Sequence, residues 1–288
     1  MAAAIDSSIV VEGHSIRVTH PGRVLYPSEG VTKAQVITYY VRVAARLLPH
    51  VRRRPVTRIR WPNGVADESF YERNLPTHAP EWIDRVTIDH SDGPVTYPLI
   101  TGASTLAWLA QHSALELHVP QWRLHGGGQR TDRIVFDLDP GPNVSIVECA
   151  SVAFWLHEQL AADGMASVPV TSGSKGIHVY AHWKSSSRSS SPSEYAKRLA
   201  VAAQSANPGM VTATMAKQAR IGRVLIDWSQ NNPRKTTITP YSLRGRARPW
   251  VATPRTWSEL SDPGLTQLTM QEVEERLEQS DPLDELSA

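Results

Sequence analysis

The sequence predicts a mixed α+β fold in which a sheet core carries the chemistry and an N-terminal α/β module packs on it. Short segments with a strand's alternation are interleaved with segments whose apolar residues recur at helical spacing. The two kinds alternate without the regular repeat of a doubly wound parallel sheet. No internal duplication divides the 288 residues, which suffice to bury a sizeable core. We read a single domain over 1–288: an N-terminal module to about residue 120, a catalytic sheet core at about 121–260, and a closing helix with an acidic tail at about 261–288.

In chain order, Thr32 to Leu48 has helical periodicity, with Thr32 placed to cap the helix and Pro49 to stop it. Pro55 to Pro62 alternates basic and apolar residues as a strand does. Ser104 to Leu117 reads as a second helix, with His118 just beyond. A glycine-rich turn at 125–128 leads into the strand RIVFDLDPG, Arg133 to Gly141. Val147 to Ala162 is a helix ended by Asp163-Gly164. Val168 to Thr171 and Ile177 to Trp183 are strands around SGSKG. Ser185 to Ser193 holds seven serines and reads as a mobile surface loop. A helix over 195–206, strands over 223–228 and 236–240, and a helix over 268–277 complete the chain.

With 41% hydrophobic and 20% charged residues, the composition is that of a soluble globular protein. No apolar run approaches the ~18 residues of a membrane span. The start lacks a basic region followed by a long apolar stretch, so no secretory leader is expected and the cytoplasm is the expected location. Cys149, the only cysteine, excludes an intramolecular disulfide and fits a reducing compartment. Charge is distributed unevenly. Seven arginines and no acid lie between Val41 and Arg60, and eight basic residues accompany the single Asp227 between Lys217 and Trp250. Phosphate-rich ligands suit such segments if the fold joins them.

The period of a strand sends Asp137 and Asp139 to one face and Ile134, Phe136 and Leu138 to the other. Adjacent carboxylates repel, and a cation offsets that repulsion. Oxygen-only ligands suit Mg2+ or Mn2+. The segment VLID brings a third acid, Asp227, which would complete a site for two divalent cations. The loop Ser172-Gly-Ser-Lys175-Gly has small residues whose backbone N–H groups could approach an anion, and a lysine to add charge. It is not a Walker A loop, because the GxxxxGK[ST] spacing is absent. His178 follows on a strand, on the same face as Tyr180. Lys235 and Arg244 flank the 236–240 strand, where fixed cations could neutralise a triphosphate.

FDLDPG, TSGSKGIH, IDWSQN and KTTITPYSLRGR, with LHVPQW, WPNG and RVLYPSEGVTK, resemble the polymerase domain of bacterial ligase D, in the archaeo-eukaryotic primase superfamily. The resemblance covers about residues 16 to 260. It implies an RRM-like catalytic sheet cradled by the N-terminal module, with Asp137, Asp139 and Asp227 binding two cations, often manganese. It implies that His118, Ser172, Lys175, His178, Lys235 and Arg244 surround the incoming NTP or dNTP. His20, Arg23 and Lys33 match positions that grip the 5′-phosphate of a downstream strand, although the family has asparagine and lysine at the first two. Phe70 and Tyr71 match an aromatic pair that stacks on the template, and Arg60 joins them as an expected DNA contact. The implied activity is extension of DNA ends and filling of short gaps in repair, favouring ribonucleotides, with Ku and a DNA ligase as partners. The chain would then be a stand-alone relative or one domain of a longer protein. A catalytically silent nucleic-acid binding module and a metal-dependent nuclease are the alternatives.

Overall fold

The computed structural model describes residues 7–184 and 190–286, and the chain divides into two compact units. The first comprises 1–119, 238–251 and 269–278, and the second 120–237, 252–268 and 279–288. The sequence reading carried the sheet core through residue 260, whereas 238–251 belongs to the first unit. The reason is long-range pairing that no local pattern announces: Thr239 N donates to Leu117 O at 2.9 Å.

The first unit holds three strands of a sheet in the order Ala114–Val119, Thr57–Arg60, Phe70–Glu72, to which Ile238 of the strand Thr237–Ile238 is added beside Ala114–Val119. The register Tyr71↔Ile59↔Glu116 puts these three side chains on one face. Arg58, Arg60, Phe70 and Glu72 take the other. Helices Lys33–Arg42 and Ala103–Gln111 pack together, and the latter is buried along its whole length.

Two expectations are corrected here. The 32–48 helix is two pieces, Lys33–Arg42 and Ala44–Val51, divided at Val43. Thr32 caps the first through a capping box with Gln35. Pro49 does not stop the second piece but lies inside it, where its missing N–H forgoes a single bond in a two-turn helix. The expected helix at 104–117 ends at Gln111. Ser113 turns left-handed (φ 58°), and Ala114–Val119 is a strand. That strand is interior to the sheet, and Leu115, Leu117 and Val119 alternate with Glu116 and His118 as a strand requires; the helical spacing that precedes it does not extend past the left-handed Ser113.

The second unit is built on a six-stranded sheet in the order Val211–Thr212, Val224–Asp227, Arg133–Pro140, Ile177–His182, Ser167–Thr171, Thr253–Pro254. Its pairs are antiparallel except Val211–Thr212 with Val224–Asp227. Helices Ile146–Ala162 and Pro192–Ala206 cover one face, where Ile134, Phe136 and Leu138 meet Cys149, Leu156, Tyr195 and Leu199. Capping boxes start both helices, Ser145 with Glu148 and Ser191 with Glu194. Of the serine-rich stretch at 185–193, residues 185–189 lie outside the described residues, while Ser191 caps and Ser193 lies within the second helix. Among the described residues no helix is long and apolar enough to cross a membrane.

Candidate active site

The acids lie on the sheet face turned away from the helices. The central strand Arg133–Pro140 pairs on one side with Ile177–His182 and on the other with Val224–Asp227. Its register sets His178, Asp137 and Asp227 in one row across three strands. Side chains directly opposite one another on antiparallel strands lie about 4.5–5.5 Å apart at Cβ. Asp139 is the next residue of the central strand on that face. Two close backbone approaches define the ends of the motif strands. A Cβ on Gly141 would stand 1.7 Å from Arg220 O, and one on Gly176 would stand 1.9 Å from Leu138 O. Neither position accepts a side chain unless backbone moves. Gly176→Ala is therefore expected to lower the melting temperature by the equivalent of about 1–3 kcal/mol or more, measured by thermal unfolding.

Hydrogen-bond donors converge on the acids. His178 Nε2 lies 3.3 Å from Asp137 Oδ1. Gln230 Nε2 donates to Asp227 Oδ2 at 3.1 Å and reaches Asp137 Oδ2 at 3.5 Å, bridging two carboxylates. Ser229 donates to Asp227 Oδ1 through both its N–H and its hydroxyl. Lys235 donates to Ser229 Oγ, and its Nζ stands 3.8 Å from Asp227 Oδ2. Asn231 completes the motif: its amide donates to Val135 O at 2.7 Å and accepts from Val135 N at 2.9 Å. This side chain stands in for a strand residue beyond Asp227, where the neighbouring strand ends. Asn231→Leu would leave the buried Val135 N–H and C=O unpaired, with an expected loss of about 1–3 kcal/mol per group in denaturant unfolding.

Burial first, then the Asp137 charge, push the Asp139 carboxyl up to about 6. The row thus holds more negative charge than its surroundings offset, and its donors are hard oxygens, as divalent-cation chemistry requires. Among the described residues no three His, Cys, Asp or Glu side chains already close on one point. Donors from Gln230, Ser229 and Lys235 occupy Asp227 instead. The acids fit a metal by donor chemistry and register, and taking one up would exchange these contacts for metal–oxygen bonds.

The SGSKG loop is built differently from the sequence reading. Ser172 Oγ accepts from Ser174 N at 3.3 Å and Gly176 N at 3.2 Å, and Gly173 N donates to Gln267 Oε1 at 2.6 Å. Gln267 also donates to Gly176 O. These backbone N–H groups tie the hairpin shut and are not directed at an anion. Lys175 is the exposed member of the loop. Downstream, His178 is 4% exposed, and its Nδ1 is buried without a hydrogen-bond partner.

The other expected residues belong to the first unit. His118 Nε2 bonds Glu116 Oε2 at 2.8 Å, and Arg244 Nη1 lies 3.3 Å from the same oxygen. Around the start of the Lys33–Arg42 helix, Arg23 N donates to His20 O, and Lys33 N donates to Arg23 O. His20, Arg23 and Lys33 are thus drawn together. His20 is exposed, but Lys33 is 5% exposed with its ammonium on Thr19 O, and Arg23 donates to Pro62 O. Arg60 is not an open cation, since its guanidinium binds Glu72 and His112 O. Phe70 and Tyr71 are 51% and 62% exposed on an edge strand, and they point to opposite faces. Sequence reasoning missed Gln230, Asn231, Gln267 and Glu116. The first two lie in the IDWSQN segment, where polar residues following a catalytic-looking acid were a readable signal.

A row of acids across antiparallel strands, beside a lysine-bearing hairpin, is the layout of a nucleotidyltransferase of the primase-polymerase class. Comparison with known proteins narrows that class. The family model described as LigD, primase-polymerase domain, matches residues 32–283, and the chain belongs to that family. The multifunctional non-homologous end joining protein LigD of Mycolicibacterium smegmatis is 48% identical over 265 residues, covering 92% of this chain and 35% of that protein. The bifunctional LigD of Bacillus subtilis is 30% identical over 246 residues, covering 85% of this chain and 39% of its own. The polymerase domain of ligase D from Mycobacterium tuberculosis, solved in complex with DNA, matches with a TM-score of 0.89 at 47% identity, covering 94% of this chain and 97% of that one. The chain spans a little over a third of the length of these two curated relatives. Polymerase domains of this family are metal-dependent enzymes.

Proposed function

We propose that this domain extends DNA 3′ ends and fills short gaps during break repair in the bacterial nucleoid, by template-directed nucleotidyl transfer that favours ribonucleotides. The observation that carries the reading is the register Asp137↔Asp227, with Asp139 beside it on the same sheet face. Asp137, Asp139 and Asp227 would hold two Mg2+ or Mn2+ ions. When bound, these cations supply activation of the primer 3′-hydroxyl and charge neutralisation at the phosphates.

The chain's own residues position the nucleotide. Lys175 and Lys235 balance triphosphate charge, and His178, beside Asp137, lies at the phosphates, a role that rests on the resemblance. Ser172 and Gln267 keep the loop that bears Lys175 in one conformation. His118 and Arg244 take up phosphate oxygens, a role that rests on the resemblance. Phe70 or Tyr71 stacks on template bases, worth about 1–3 kcal/mol per base and tolerant of sequence. His20 and Arg23 meet the 5′-phosphate of a downstream strand. Arg60 acts through its pairing with Glu72 by bracing the Phe70–Glu72 strand. Ku and a DNA ligase are the proposed partners.

Extension of a gapped duplex with manganese tests this, with and without a 5′-phosphate, comparing NTPs with dNTPs. Lengthening with NTPs preferred, and faster with the 5′-phosphate, is the expected result. Shortening of labelled DNA without nucleotides would point to a nuclease, and binding without any change of length to a silent module.

A further inference from the structure

The two first-unit residues assigned to the triphosphate share one buried carboxylate. Glu116 lies mid-strand in Ala114–Val119 and is 5% exposed. Its Oε2 accepts from His118 Nε2 at 2.8 Å and faces Arg244 Nη1 at 3.3 Å, while Oε1 accepts from Gly245 N at 3.0 Å. Both oxygens are thus used to fix three donors from two distant segments of chain. Burial alone would push the Glu116 carboxyl up, but the His118 hydrogen bond and the Arg244 charge outweigh it and hold it below the usual range. It therefore stays charged at neutral pH.

The contacts decide which atoms remain for a ligand. With Nε2 bonded to Glu116, Nδ1 is the remaining polar atom of the His118 ring. With Nη1 on Glu116, the edge of the Arg244 guanidinium formed by Nε and Nη2 remains, and Nε is buried with no hydrogen-bond partner. Two parallel N–H donors on that edge match the spacing of two phosphate oxygens.

We propose that Glu116 is a positioning residue for the nucleotide: it holds His118 by Nε2 and Arg244 by Nη1, so that the His118 ring and the Nε–Nη2 edge of Arg244 face the triphosphate. The inference rests on the nucleotide role of His118 and Arg244 given above. A carboxylate that only braced the Arg244–Gly245 turn would affect stability and not nucleotide affinity.

Steady-state extension of a gapped duplex by the whole chain, together with equilibrium NTP binding, separates the two. Glu116→Gln keeps the size and one acceptor but loses the charge that orders both side chains. Its expected phenotype is a nucleotide KM raised about tenfold, kcat within about threefold, and unchanged duplex binding, because triphosphate contacts contribute alike to ground and transition state. In an Arg244→Ala background the same substitution should raise KM less than about threefold further. Unchanged KM and NTP affinity in Glu116→Gln would overturn the proposal, as would a tenfold effect persisting without Arg244. Should Glu116→Gln fail to fold, Glu116→Asp gives the same readout, and an unaltered KM there overturns it equally. Wild-type chain that binds NTP but never extends DNA would defeat the polymerase reading alone, whereas unchanged NTP affinity in the variants defeats only this one.

Discussion

Asp137→Asn and Asp227→Asn should each fold, bind gapped duplex with wild-type affinity, and lose nucleotide addition by on the order of 10^3-fold or more, about 4 kcal/mol of transition-state stabilisation. Asparagine keeps the volume and one oxygen acceptor. Asp227→Asn can still accept from Ser229, and Asp137→Asn remains beside Gln230. Fold is preserved while charge is removed from the row where cations are to bind. The alanine variants should lose activity equally, with a larger fall in stability. Single-turnover extension with Mn2+, beside a gel-shift on the same duplex, measures both quantities. More than a tenth of wild-type extension in either variant would remove these acids from the chemistry.

Asp139→Asn should divide activity from stability. Extension should fall on the order of 10^2-fold or more, while the metal-free variant melts at a higher temperature than wild type at pH 8. The Asp139 carboxyl, at about 6 in the folded chain against the ordinary 3.8 of an aspartate, binds its proton more tightly when folded. Its contribution to folding is therefore complete below about pH 4 and lost as pH rises through about 6. Asparagine mimics the protonated form and removes that penalty. The stabilisation should be largest above pH 7 and vanish toward pH 4. Thermal melts in EDTA from pH 4 to 8 give the curve. A difference that grew as pH fell would contradict the charge crowding ascribed to this face.

Local pattern made some of this legible and left the rest hidden for definite reasons. Asp137 and Asp139 share a face because side chains alternate along any strand, and five residues suffice to see it. That Asp227 lies directly opposite Asp137 depends on pairing across a separation of 90 residues, which hydrophobic pattern does not encode. The fate of the SGSKG amides was hidden for the same reason, since Gln267 N-terminal to the closing helix supplies the acceptor for Gly173. Arg60 reads as an open cation until Glu72 is brought beside it by the next strand. The strand Ala114–Val119 reads as helix in its first residues because the helical spacing before it runs on into it, although Leu115, Leu117 and Val119 alternate with Glu116 and His118. Its Glu116 and His118, alternating with apolar residues, were the readable sign of a strand with one polar face.

The chain changes units at 119/120, 237/238, 251/252, 268/269 and 278/279. Neither unit is therefore encoded by one uninterrupted stretch of gene. A fragment stopping at Val119 would lack the residues around Thr239 that pair with its own Leu117, so it should not fold as the intact chain does. Neither unit can therefore be transplanted by a single cut in the chain.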